Sequence, residues 1–162
     1  DTSKDVYPYL AYVMLFKLLI FSFETFLDLR QYTKFTDMEV PLDIRTFVKK
    51  SFFHESQIYN KDVKYFSICK GIVGFIWEMI SLYFQLLAYV WNSDFIIVKL
   101  GLDPTSEVYR AYSTFICLYL ISTLMGLPWQ YYLNFVIKEK HGFNTITLNT
   151  FITDVVKQTL AI

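Results

Sequence analysis

The sequence predicts an all-α fold of membrane-spanning helices, with three full spans and the start of a fourth. Three observations carry this expectation. The chain is 54% hydrophobic and only 19% charged, whereas a soluble domain has about 45–50% apolar and about 25% charged residues. The apolar residues fall in blocks long enough to cross a bilayer core of about 30 Å at about 1.5 Å per helical residue. Tyr7, Tyr9, Tyr89, Trp91, Trp129, Tyr131 and Tyr132 gather near block ends, at the depth where such rings meet lipid headgroups. The 15 basic and 15 acidic side chains leave no basic excess, which argues against nucleic acid as a partner. The aromatic content of 20% excludes a disordered chain. Two cysteines are too few for a disulfide framework.

The first span is expected at about residues 6–27, interrupted by Pro8, Lys17, Ser22, Glu24 and Thr25. It has no small-residue cleavage site and is too polar at its far end for a signal peptide, so it reads as a retained span. The second runs over about 66–91, with Lys70, Glu78 and Gln85 as its main polar breaks. The third, about 111–137, has no ionisable side chain except its tyrosines and Cys117, and so lacks the polar stripe of a soluble helix. Pro128, with Gly126 beside it, is expected to kink or loosen this span.

The link 28–65 carries Arg30, Lys34, Arg45, Lys49, Lys50, Lys61 and Lys64, whereas the link after the second span has Lys99 and Arg110. Positive charge marks the cytoplasmic side, so the first link is expected there and the N-terminus on the lumenal side. Within that link a helix is expected from Pro41, with Asp43 near its start and Ile44, Phe47, Val48, Phe52 and Tyr59 recurring at helical intervals. After the third span, Lys138, Lys140 and His141 suit a helix C-terminus and Gly142 its C′ position. Asn144 is expected to cap a fourth helix starting at about 145, with apolar positions from Ile146 and Leu148. The chain opens on Asp1 rather than Met and reaches Ile162 soon after that helix begins, so a piece of a longer protein is expected.

Ionisable groups at bilayer depth are costly and usually face a protein interior or a water-filled cavity. Lys17, Glu24 and Asp28 share one face of the first span, and Glu78 lies near the middle of the second. Two readings stand side by side. In one, Lys17 pairs with Glu24 or snorkels to the headgroups; in the other, Glu24, Asp28 and Glu78 line a hydrated internal cavity. Cys69 and Cys117 read as small buried hydrophobes. His54-Glu55-Ser56-Gln57-Ile58 begins like the H-E-x-x-H zinc helix, but Ile58 stands where the second histidine is needed. No catalytic or metal-ligating residue is therefore expected in this chain.

The run Phe23-Glu24-Thr25-Phe26-Leu27-Asp28-Leu29-Arg30-Gln31 resembles the first-span signature of the CAAX prenyl endopeptidases. The segment from Ser56 to Asp62 leading into Phe66 is similar to that family's approach to its second span. The stretch from Leu127 to Thr147 resembles its Pro-containing third span, here with Pro128, and the turn Glu139-Lys140-His141-Gly142-Phe143-Asn144. The resemblance implies the N-terminal part of a seven-span zinc metalloprotease enclosing a water-filled chamber, in the endoplasmic reticulum or inner nuclear membrane. It implies removal of the C-terminal tripeptide from prenylated CAAX proteins, with zinc held by a C-terminal catalytic half of the same protein. On this reading the chain is scaffold and chamber wall, inactive alone, with the bilayer, the prenylated substrates and that catalytic half as partners. The alternative is a non-catalytic membrane interaction or passage module built on the same domain.

Overall fold

The computed structural model describes residues 2–42, 45–93, 95–99, 101, 103 and 105–160. Every regular element among them is helical: α1 (Thr2–Lys34), α2 (Lys50–Tyr83), α3 (Leu86–Trp91), α4 (Phe95–Lys99), α5 (Glu107–Tyr132) and α6 (Leu148–Leu160). A π-helical segment, Leu133–Lys138, continues α5. Three helical stretches are long and apolar enough to cross a membrane: Pro8–Lys34, Lys50–Tyr83 and Glu107–Lys138. Even the shortest, with 27 residues, measures about 40 Å and exceeds the bilayer core. Large apolar side chains lie open along them, Phe16 at 64% and Phe23 at 63% exposure among them. Among the described residues only Val40, Ile97 and Ile137 are buried hydrophobics. Helices with large apolar side chains this exposed, and little protein against them, need lipid or further protein as solvent.

The chain divides into two compact units, Asp1–Tyr83 and Phe84–Ile162. In the first, α1 and α2 pack as an antiparallel hairpin. The half-buried positions Met14, Lys17, Phe21, Thr25, Asp28 and Tyr32 recur every three or four residues on α1. Lys61, Lys64, Ile68, Phe75 and Glu78 do so on α2, with Gly71 completing the spacing. Such spacing keeps one face of each helix turned to its partner. The helices reach well beyond the expected spans. α1 continues to Lys34, and α2 already begins at Lys50, so most of residues 28–65 is helical extension. Leu42, directly after Pro41, has 3₁₀-helical geometry, and residues 45–48 form turns and a bend, so the expected helical run through Phe47 and Val48 is interrupted before α2 begins at Lys50. Asp43 and Ile44 lie outside the described residues.

The second expected span is also divided. α2 stops at Tyr83, and Gln85 takes a left-handed backbone conformation (φ 51°, ψ 45°) before α3 begins. In the second unit α3 and α4 lie against α5, where Ile97 is 1% exposed. Asp103 accepts hydrogen bonds from the Thr105 backbone N–H (2.9 Å) and hydroxyl (2.8 Å). The backbone bond first, then the hydroxyl, hold its carboxyl below the usual carboxylate range. This turn is therefore favoured above that range and weakens as pH falls through the lowered value.

α5 runs through Pro128, and the irregularity comes one turn later, in the π-helical Leu133–Lys138. Proline lacks the N–H that would reach the Leu124 carbonyl, so its defect falls in the preceding turn, and the π-helical segment is a separate irregularity on its C-terminal side. The segment ends in a Schellman motif. The Phe143 N–H donates to the Lys138 carbonyl (2.8 Å), the Gly142 N–H to the Glu139 carbonyl (3.0 Å), and Gly142 has φ 72°. Asn144 does not cap the next helix. Its Oδ1 accepts from the Ile146 N–H (2.9 Å) and holds the turn, while Thr147 accepts from the Thr150 N–H (3.3 Å) and caps α6.

Replacing Gln85 by glycine removes the Cβ clash of the left-handed region. Gln85→Gly is expected to stabilise the protein by about 1 kcal/mol, read as a higher thermal midpoint in detergent. A lower midpoint would show that the glutamine side chain makes a contact worth more than the strain.

Candidate functional site

Between α1 and α2 the polar and aromatic residues alternate along one seam. At one end Lys17 donates to Glu78 in an ion pair between the two helices. Next, Phe21 and Phe75 stack with ring centroids 4.1 Å apart and planes 6° from parallel. Farther along, Lys64 Nζ donates to Asp28 Oδ1 at 2.5 Å. Beyond it, Lys61 Nζ sits 5.4 Å from the Tyr32 ring centroid, a cation–π contact.

The order of charges makes this pairing possible. α1 carries Lys17 then Asp28, eleven residues and three turns apart on one face. α2 carries Lys64 then Glu78, fourteen residues and four turns apart on one face. Laid antiparallel, lysine meets carboxylate at both ends. The axial separations of about 17 Å and about 21 Å differ, and the flexible lysine stems close the gap.

Between the two ion pairs the seam opens into a cleft of about 280 Å³, lined by Lys17, Ile20, Phe21, Glu24, Thr25, Asp28, Ile68, Gly71, Phe75 and Glu78. It opens here because the facing residues are small. A Cβ built on Gly71 would meet nothing within 4 Å, and Thr25 is the neighbouring seam residue on α1. Lys17 and Glu78 are 37% and 46% exposed, and Asp28 is 37% exposed against 17% for Lys64. These values place the carboxylates at the cleft surface, not in a dry core.

All three expected cavity residues, Glu24, Asp28 and Glu78, thus line one cleft. Their pairing differs from expectation. Lys17 reaches across to Glu78 and not along its own helix to Glu24, which lies seven residues and about 10 Å away. Asp28 and Glu78 are paired, while Glu24 has no hydrogen-bond or ion-pair partner among the described residues. Reading the sequence missed Lys64. The signal that could have found it is the reversed charge order on two helical faces.

The other signature residues divide between two places. Phe23, Leu27, Arg30 and Gln31 are exposed on α1, and Thr25 faces the cleft. Pro128 lies within α5, and the residues from Glu139 to Asn144 build the Schellman turn and its exit. Cys69 and Cys117 are half-buried, not fully enclosed. Among the described residues no three His, Cys, Asp or Glu side chains come together to hold a metal ion. His54 is exposed on α2, with Ile58 one turn on.

Over residues 28–162 the sequence matches the family described as CAAX prenyl protease N-terminal, five membrane helices. It is similar to the CAAX prenyl protease 1 homolog of Arabidopsis thaliana, 32% identical over 153 residues, covering 94% of this chain and 36% of that protein. It is similar to the homolog of Mus musculus, 33% identical over 148 residues, covering 90% and 31%. The CAAX prenyl protease 1 of Saccharomyces cerevisiae is 29% identical over 154 residues, covering 93% and 34%. Among solved structures, the crystal structure of S. mikatae Ste24p is similar with a TM-score of 0.83 at 29% identity, covering 95% of this chain and 36% of that one. The chain therefore spans about a third of the length of these relatives.

Gly71→Ala tests the open geometry of the seam. With nothing near the new methyl, the gain in helix propensity should raise stability by up to about 1 kcal/mol in detergent unfolding. A marked loss would mean that the helices approach more closely at Gly71 than described.

Proposed function

This chain belongs to the family of CAAX prenyl protease N-terminal membrane domains, and on that premise we propose that it is the front part of an integral-membrane zinc metalloendopeptidase. The whole protein would remove the C-terminal tripeptide from prenylated CAAX proteins. The names of the relatives, CAAX prenyl protease 1 and its homologs, support this substrate class. The present residues would serve as scaffold and as part of the wall of an intramembrane chamber.

The observation that carries this reading is the polar cleft between two helices long enough to span a bilayer. Glu24, Asp28 and Glu78 at such depth are tolerable where water reaches them. A hydrated seam gives the hairpin a polar inner face and leaves Phe16, Phe23 and Phe26 for lipid. The described residues do not fit zinc, because they gather no ligand set, and no step of hydrolysis is assigned to them. The metal and its bases would belong to the C-terminal catalytic half. This reading places the protein in the endoplasmic reticulum membrane. The excess of Lys and Arg in residues 28–65 supports a cytoplasmic link and a lumenal N-terminus.

Two measurements test the proposal. The reading frame beyond Ile162 is expected to encode an H-E-x-x-H motif in a later apolar helix, whereas a stop codon shortly after would overturn the protease reading. For the chamber wall, a single cysteine replaces Glu24, the cleft carboxylate outside the two ion pairs, in full-length protein lacking Cys69 and Cys117. A membrane-impermeant thiol reagent should label it, while a cysteine at the outward position 16 stays unlabelled. Complete protection of position 24 in the folded protein would contradict the hydrated wall.

A further inference from the structure

α2 projects well beyond the apolar part of the hairpin. Its apolar block begins at Phe66, and residues 50–65 before it measure about 24 Å along the helix. Membrane helices tilt by up to about 40°, which leaves about 18 Å of height, whereas headgroups add only about 5–8 Å to each side of the bilayer core. The first turn of α2 therefore stands about 10 Å clear of the headgroups. α1 does not accompany it there. Tyr32 meets Lys61 and Tyr65, and α1 ends two residues later at Lys34.

This end is not a purely polar surface. Phe52, in the first turn of α2, is 64% exposed, and Phe47, in the turn just before it, is 87% exposed. Arg45, Lys49 and Lys50 are exposed beside them in the chain, and none makes an ion pair among the described residues. Over residues 41–53 they stand against a single acid, Asp43. The first turn of α2 holds no acidic residue, although a helix N-terminus favours negative charge. Two open aromatic rings among uncompensated positive charges thus sit where lipid does not reach.

We propose that this end of the hairpin is a docking surface for an acidic protein segment, supplied by the part of the same protein beyond residue 162. Aromatic anchors with charged residues at their edge are the usual makings of a protein interface. Height above the bilayer sets lipid aside as the occupant. Charge sets aside a second copy, because a two-fold contact would press the basic cluster against itself. A segment of the same polypeptide is tethered at an effective concentration on the order of mM, and this chain covers only 31–36% of its relatives. The inference rests on the reading that this chain is the front part of a longer protein, and adds the place where the rest is held.

The test places the photoreactive amino acid benzoylphenylalanine at 47 or 52 in full-length protein. Equal amounts of ¹⁵N-labelled and unlabelled protein are reconstituted in vesicles of phosphatidylcholine and phosphatidylserine, so that an anionic headgroup is on offer. After irradiation, adducts are mapped by mass spectrometry. Both positions should cross-link to peptides beyond residue 162 of the same polypeptide, while the probe at the outward position 16 cross-links to lipid. Lys49→Glu with Lys50→Glu should lower the yield about fivefold, and Lys49→Arg with Lys50→Arg should retain it. Four outcomes would each overturn the inference: adducts with lipid at 47 and 52, adducts joining the two isotopes, none beyond residue 162, or a yield indifferent to the charge reversal. The readout needs no proteolysis. Downstream adducts in a protein whose later helices lack H-E-x-x-H would sustain the docking surface and overturn the protease reading. Lipid adducts in a protein that has the motif would do the reverse.

Discussion

A charge inside a bilayer must meet an opposite charge, a hydrogen-bonding group or water, and the Lys17–Glu78 pair is where this chain answers that demand. The pair lies at one end of the α1–α2 seam, and the rest of the hairpin follows from it. In the antiparallel register that it shares with the Asp28–Lys64 pair, Phe21 stacks on Phe75 between the two. The small residues Thr25 and Gly71 keep the space between the two pairs open. Larger residues would close the seam to a dry contact, where breaking a pair strands an uncompensated charge.

The same need for satisfied polar groups governs the second unit by backbone means. Pro128 removes a donor from α5, and the π-helical segment is a separate irregularity on its C-terminal side. The Lys138 and Glu139 carbonyls, which a helix end would leave unpaired, are taken up by Phe143 and Gly142. The family resemblance and the geometry meet at this turn. The residues that look like a signature are those that close a helix in the least space.

Much of the fold was legible in the sequence, because block length and composition follow directly from bilayer thickness. The three spans, the left-handed Gly142 and the shared polar face of Lys17, Glu24 and Asp28 were open to that reasoning. The helix boundaries were less so. α2 continues into the link, where Lys61, Lys64 and Tyr65 meet Tyr32 and Asp28 of α1, and hydropathy alone does not register such polar contacts. The break at Gln85 had no glycine or proline to announce it. The pairing of Lys17 with Glu78 depends on which two helices meet and in which direction. That information lay in the relative order of charges on two faces, not in either helix alone.

The central claim, that the two helices are joined across the seam by opposite charges, is tested most directly by exchanging them. Unfolding stability in detergent is measured for Lys17→Glu, Glu78→Lys and the double exchange. Each single exchange puts like charges together and should destabilise the protein, while the double exchange should restore stability to within about 1 kcal/mol of the original. Single-exchange losses that simply add in the double variant would show that Lys17 and Glu78 do not hold each other, and would contradict the account.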